Sequence, residues 1–212
     1  MINDLKDIAK EVGENLRIDA SDVEIYEYDL QTYKTIMFFK PISNAVELQK
    51  AKLLDDEEKW LYKSLSPKIF IPDMSISGLI AADKTHTKSS HFRYIIDKVD
   101  SLLSLKSIHE KDNAFCLYLI LHEFGHYINF DLYDRNVYRL RQRDNQCVEL
   151  KKKTEDMIQF IKTQFDSNSP PDAFEMSILL CYQNLYYLMP SEKDANDFAD
   201  EKFTYFYNLL DW

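Results

Sequence analysis

What this chain lacks narrows its function before any motif is read. Cysteine is scarce: Cys116, Cys147 and Cys181 are odd in number, fall in predicted helices and lack zinc-knuckle spacing. They read as reduced thiols rather than a disulfide framework, the pattern of a cytoplasmic protein. Long apolar runs are missing too. The longest, 114–121, is far too short to span a bilayer, and no charged-then-apolar signal segment opens the chain, so no membrane partner is expected. Positive charge is also in deficit: 26 Lys and Arg stand against 36 Asp and Glu, for a net charge of −10. Nucleic-acid affinity comes largely from basic contacts with phosphates, so no nucleic-acid partner is expected either. Arg135, Arg139, Arg141, Arg143 and Lys151-Lys152-Lys153 form a local basic run, but Asp144, Glu149 and Glu155 interleave with it, and it reads as a solvated helical surface. No internal repeat or low-complexity tract is evident.

What is present is enough for one sizeable core: 212 residues, 45% of them hydrophobic, with 14 Tyr and 13 Phe. The expected organisation is a single domain over 1–212, with an α/β part over 1–84 and a helical part over 85–212. Residues 3–17 have the pattern of an amphipathic helix, and Val23–Tyr28, Thr35–Phe39 and Lys68–Ile71 that of strands. Gly78–Ala82 is a candidate further strand. A helix is expected from an N-cap near Ser43 to about Leu65, stopped by Pro67. Further helices are expected over 91–105, 135–164 and 172–188, with Ser167–Pro171 as the clearest loop. The fold class is α+β and mostly helical, with a small mixed sheet.

The segment Asn113–Asn129 contains no helix breaker and a single glycine. On a helical wheel Phe115, Leu119, His122, His126 and Asn129 share one face, and Leu117, Leu121, Phe124 and Ile128 the opposite one. A helix apolar nearly all round belongs at the centre of a domain. Within it stands His122-Glu123-Phe124-Gly125-His126, an HExxH pattern. At about 3.6 residues per turn, both histidines point the same way and can share one Zn²⁺, with Glu123 beside them as a base. The plainer reading makes them satisfied core histidines, but two histidines and a glutamate in a buried stretch are costly without partners.

A third ligand is suggested downstream, in Glu192-Lys-Asp-Ala-Asn-Asp-Phe-Ala199. A helix starting around Pro190 or Ser191 carries Ala195, Ala199, Phe203, Phe206 and Leu210 as its apolar stripe, with Glu192 at its head. A carboxylate aimed into a core needs a cation. The competing reading makes Ser191 an N-cap, has Asp194 close an approximate capping box, and leaves Glu192 to complement the helix dipole.

Together, the HExxH helix and the Glu192-x-x-Ala195-Asn196-x-Phe198-Ala199 pattern resemble the gluzincin metallopeptidases, whose short intracellular members include the minigluzincin and HtpX-like, ImmA/IrrE-type and Lit-type phage-exclusion peptidases. The likeness covers about 113–130 and 190–206; the segment before His122 lacks the Arg- and Thr-containing lead-in of the ImmA/IrrE type, and the gap to Glu192 is long for that type. The resemblance implies a zincin-like domain with the sheet packed on the HExxH helix, Glu192 as third zinc ligand, and Asn196 orienting a ligating histidine. It also implies a zinc-dependent endopeptidase acting on a protein or peptide, with Glu123 as general base, and of narrow, regulatory or phage- or stress-related specificity. Tyr186, Tyr187, His86 and His91 are candidate oxyanion donors, and 76–83 a candidate substrate-binding strand. The alternative is a zinc-binding scaffold or protein-docking module on a peptidase-like fold.

Overall fold

The computed structural model describes residues 4–18, 22–28, 37–40, 67–79, 90–102, 108–164, 177, 185 and 188–210. The first helix, α1 (Leu5–Asn15), begins at Asp4, whose side chain accepts the Asp7 N–H at 2.8 Å. Its inward stripe, Leu5, Ile8, Ala9 and Val12, is fully buried.

Three strands follow: β1 (Glu24–Tyr28), β2 (Phe38–Lys40) and β3 (Lys68–Pro72). They form one sheet in the order β1-β3-β2, with β1 parallel and β2 antiparallel to β3. The mixed sheet expected from the sequence is therefore present. As the central strand, β3 is buried at every position, which is why it reads as a nearly unbroken apolar run. Its one charged residue, Lys68, is buried at the strand end and paired with Glu24, its cross-strand partner in register.

The segment expected as a further strand differs. Residues 76–79 make a single helical turn, with the Leu79 N–H on the Ser75 carbonyl at 3.0 Å and the Gly78 N–H on Ser75 Oγ at 3.2 Å. Ser75 offers the backbone a local capping partner, and Ile76 and Leu79, three apart, both reach the core from a turn. Residues 80–83 lie outside the described residues, as do the helix expected over 43–65, the loop over 167–171 and most of the helix expected over 172–188.

The helical part comprises α2 (Ser90–Leu102), α3 (Ile108–Leu132), α4 (Val137–Gln164) and α5 (Pro190–Leu209). Every residue of α3 from Asn113 to Gly125 is buried, as expected for a helix apolar all round. One core cluster joins it to α1, the sheet, α2 and α5. On α5 the expected stripe of Ala195, Ala199, Phe203, Phe206 and Leu210 is the buried one. A polar staple reinforces the packing: Tyr118 on α3 and Lys98 on α2 both donate to Asp200 on α5, at 2.8 and 2.7 Å.

Between α3 and α4, Asp134 and Arg135 both take left-handed backbone conformations, at φ 54°. The Arg135 side chain offsets that strain by donating to Asp131 at 2.9 Å and to Asp22 at 3.2 Å. Within the basic run of α4, Arg139 pairs with Asp134 and Arg143 with Asp194. Among the described residues, no helix is long and apolar enough to cross a membrane, and Cys116 and Cys147 are free thiols.

Candidate metal centre

The site is created by the crossing of α3 and α5. At Gly125 the two helices approach so closely that a Cβ there would stand 2.8 Å from both Cα and O of Ala195. Only a residue without a side chain fits against that backbone, and the small Ala195 faces it from α5. One turn before Ala195 on the same face is Glu192, which the crossing delivers onto the histidine face of α3.

There the three residues expected as ligands come together. His122 Nε2 and His126 Nε2 are 3.1 Å apart, His122 Nε2 lies 3.4 Å from Glu192 Oε2, and His126 Nε2 lies 3.7 Å from Glu192 Oε1. One donor atom from each of the three falls within a 4.8 Å group that could hold a metal ion. Tetrahedral bonds of about 2.0–2.1 Å place ligand atoms roughly 3.3–3.4 Å apart, so these separations bracket what a zinc site requires. Glu192 Oε2 is buried without a hydrogen-bond partner, an arrangement that leaves a carboxylate oxygen in need of a cation.

Asn196, one turn beyond Glu192, sits with its Oδ1 2.9 Å from His122 Nδ1. An amide oxygen only accepts, so Nδ1 carries a proton, and Nε2 is the nitrogen turned toward Glu192 and His126. Burial by itself would raise the Glu192 pKa. The imidazoles of His122 and His126 more than offset it by polar contact and charge, holding the carboxyl well below the usual carboxylate range.

Glu123 lies beside this group in a different state. Burial pushes its pKa up to about 7; His122 opposes the shift, Glu192 adds to it, and a hydrogen bond from the Phe39 backbone N–H opposes it. Two neighbouring carboxyls are thus driven in opposite directions by their surroundings. The Phe39 contact also locates the sheet. In β2, an edge strand among the described residues, the Phe39 N–H reaches Glu123 on α3, while its ring packs on Tyr127 and Phe130 of α3. Among the described residues the strand beside the HExxH helix is therefore β2; of the 76–83 segment, 76–79 form a turn and 80–83 lie outside them.

The capping alternative for α5 is corrected. Met189 is the N-cap and makes no side-chain bond, with Pro190 in the first helical position. Ser191 instead donates its N–H and its hydroxyl to Asp144 of α4, and Asp194 pairs with Arg143 at 2.6 Å. Neither residue closes a box within α5: Ser191 is drawn to an acceptor 47 residues upstream in α4, and Asp194 to the Arg143 guanidinium of the same helix. Among the oxyanion candidates, Tyr186, Tyr187 and His86 lie outside the described residues, as does the side chain of His91.

Three residues near the site were not singled out from the sequence. Gly125 had a visible signal, a lone glycine in a buried helix, but its meaning depends on α5. Phe39 acts through its backbone, which no side-chain pattern reports. Tyr28, 4% exposed at the end of β1, has its pKa raised by burial and then by the charge of Glu123, which places it within electrostatic reach of that carboxyl. Its strand pattern carries no hint of that proximity. Compared with family models, curated proteins and solved structures, the chain matches none, so the metal centre rests on its own geometry.

Proposed function

We propose that this protein is a zinc-dependent endopeptidase of the gluzincin type. The observation that carries the reading is the convergence of His122, His126 and Glu192 on one point, with the buried Glu123 carboxyl alongside. Zinc bound there would supply Lewis acidity and a water of lowered pKa.

The chain's own residues supply the rest. Asn196 fixes the His122 tautomer through Nδ1. Glu123, buried beside the ligands, accepts a proton from the attacking water and returns it to the departing amine. The Phe39 N–H holds that carboxyl in place. Among the described residues β2 is the edge of the sheet beside Glu123, and a peptide lying in extended form alongside would run past that carboxyl, which supports a protein or peptide substrate.

The test uses the full chain. Purified protein is expected to hold zinc in a 1:1 ratio and to cleave a subset of substrates in a mass-spectrometric screen. Glu123→Gln should keep the zinc and the fold but lose hydrolysis, since an amide does not accept the proton. Undiminished cleavage by zinc-loaded Glu123→Gln removes Glu123 from the mechanism. Stoichiometric zinc without hydrolysis of any protein or peptide favours a zinc-binding scaffold.

A further inference from the structure

Helix α5 carries Glu192 in its first turn, yet that turn has no cap of its own. Met189 makes no side-chain cap bond, Pro190 has no N–H, and the Lys193 N–H is taken by the Met189 carbonyl at 2.9 Å. The Ser191 N–H is held from outside the helix: Asp144 Oδ1 accepts it at 3.0 Å, and Asp144 Oδ2 accepts the Ser191 hydroxyl. Ser191 is buried, 8% exposed, and is the residue immediately before Glu192.

We propose that Asp144 is a positioning residue for the metal site, a cap supplied by α4 that sets the direction of the Glu192 carboxylate. This deepens the proposed function and rests on its metal-site reading. The two bonds fix Ser191 at both its backbone and its side chain, so they define the rotation of the first turn about the axis of α5 as well as its position. The other half of that definition is the Gly125–Ala195 contact one turn later. Between these two clamps the Glu192 backbone has little freedom, and the carboxylate reaches the imidazoles at 3.4 and 3.7 Å. A carboxylate at this position also complements the positive end of the α5 dipole. The adjacent Arg143–Asp194 pair is different. It joins side chain to side chain, at 28% and 32% exposure, whereas Asp144 grips a backbone N–H of the turn, so it contributes less to the aim of Glu192.

The distinction between positioning and mere stability is measurable because Asp200 anchors the same helix away from the site, by its bonds to Tyr118 and Lys98. The zinc affinity of the full chain is measured by competition with a chromophoric chelator, the visible spectrum with Co²⁺ in place of zinc, and thermal stability without metal. Asp144→Ala is expected to weaken zinc binding by about 10–100-fold and to alter the Co²⁺ bands, as loss of an outer support does. Ser191→Ala, which removes only the hydroxyl bond, should do the same to a smaller degree and keeps the test open should Asp144→Ala not fold. Asp200→Asn should lower the melting temperature while leaving zinc affinity and Co²⁺ spectrum unchanged. Unchanged affinity and spectrum in folded Asp144→Ala, or in Ser191→Ala when that is the variant that folds, overturn the proposal. So does an equal loss of affinity in Asp200→Asn. Should the wild type bind neither ion, or His126→Ala bind both as well as wild type, the metal reading fails and the proposal falls with it. Loss of binding in His126→Ala with none in folded Asp144→Ala defeats the positioning role alone.

Discussion

The fifth helix touches α3 and α4 in opposite ways. Against α3 it is dry and backbone-close, Gly125 on Ala195, with Phe203 and Phe206 buried below. Against α4 it is held by side chains, the Asp144 bonds to Ser191 and the partly exposed Arg143–Asp194 pair. Both neighbours lack a single apolar stripe, but for opposite reasons: α3 is apolar all round, whereas α4 is polar on most sides and leaves Val148, Leu150 and Met157 half exposed. The difference teaches where chemistry can be built. A carboxylate and two imidazoles gain a cation's full attraction only where water is excluded, which the α3 contact provides and the α4 contact does not.

The sharpest way to break the comparison is at the shared site. Glu192→Gln should lose stoichiometric zinc because the amide removes the one anionic ligand, and metal analysis after dialysis checks it. A zinc content equal to wild type would mean that the α3–α5 crossing does not make the site.

Next in size is a pH effect confined to the dry contact. In metal-free protein Glu123 has a folded pKa near 7 against an ordinary 4.5, so folding favours its protonated form. That contribution is intact below about pH 4.5 and is lost as pH rises through about 7, on the order of 3 kcal/mol in all. Glu192, shifted downward, contributes above its ordinary pKa and loses that contribution only in acid, outside this window. Chelator-treated wild type and Glu123→Gln, compared by urea unfolding at pH 5 and pH 8, should diverge by about that amount. Parallel curves would mean that Glu123 is not a buried carboxyl.

Gly125→Ala comes third. Its new methyl meets Ala195 backbone at 2.8 Å and must part the helices, costing roughly 1–3 kcal/mol by thermal unfolding and weakening zinc binding as Glu192 withdraws. The smallest effect belongs to the wet side. Asp194→Asn keeps an acceptor for Arg143 and removes only the charge of a partly exposed pair, with an expected loss of about 0.2–1 kcal/mol and zinc affinity within about threefold of wild type. Were Asp194→Asn to cost more than Gly125→Ala, the contrast between the two contacts would be reversed.

What could be read from the sequence was what repeats along one helix. His122 and His126 are one turn apart, the α5 stripe is a wheel property, and Glu192 and Asn196 follow from the same geometry, so each was visible without knowing any partner. The α+β class and the strands β1 and β3 followed from alternation and from the unbroken run of β3, whereas of the strand expected over Thr35–Phe39 the described part begins only at Phe38 and runs to Lys40. What escaped needed a second element. Ser191 has the composition of an N-cap, but its acceptor is on α4; Gly125 looks like a weak point in a helix until Ala195 is placed against it. At 76–79, small and apolar residues fit strand and turn alike, and the Ser75 bonds decide for the turn. The Phe39 contact is made by backbone, on which sequence pattern is silent.

The Gly125–Ala195 approach also bears on inheritance. Positions 125 and 195 share one volume, so neither can drift alone: a methyl gained on α3 has to be met by a shift of the whole of α5, since the atoms opposing it are backbone and no trimming of a side chain removes them. Descendants of this chain that keep the metal centre should therefore keep glycine within the HExxH segment and a small residue three places after the glutamate. Lineages that have lost the centre are released from the aim of Glu192 but not from the packing of α3 on α5. The pair of small residues, 70 places apart by their numbers, is a more discriminating mark of common ancestry with this chain than the two histidines, which any buried helix can acquire one at a time.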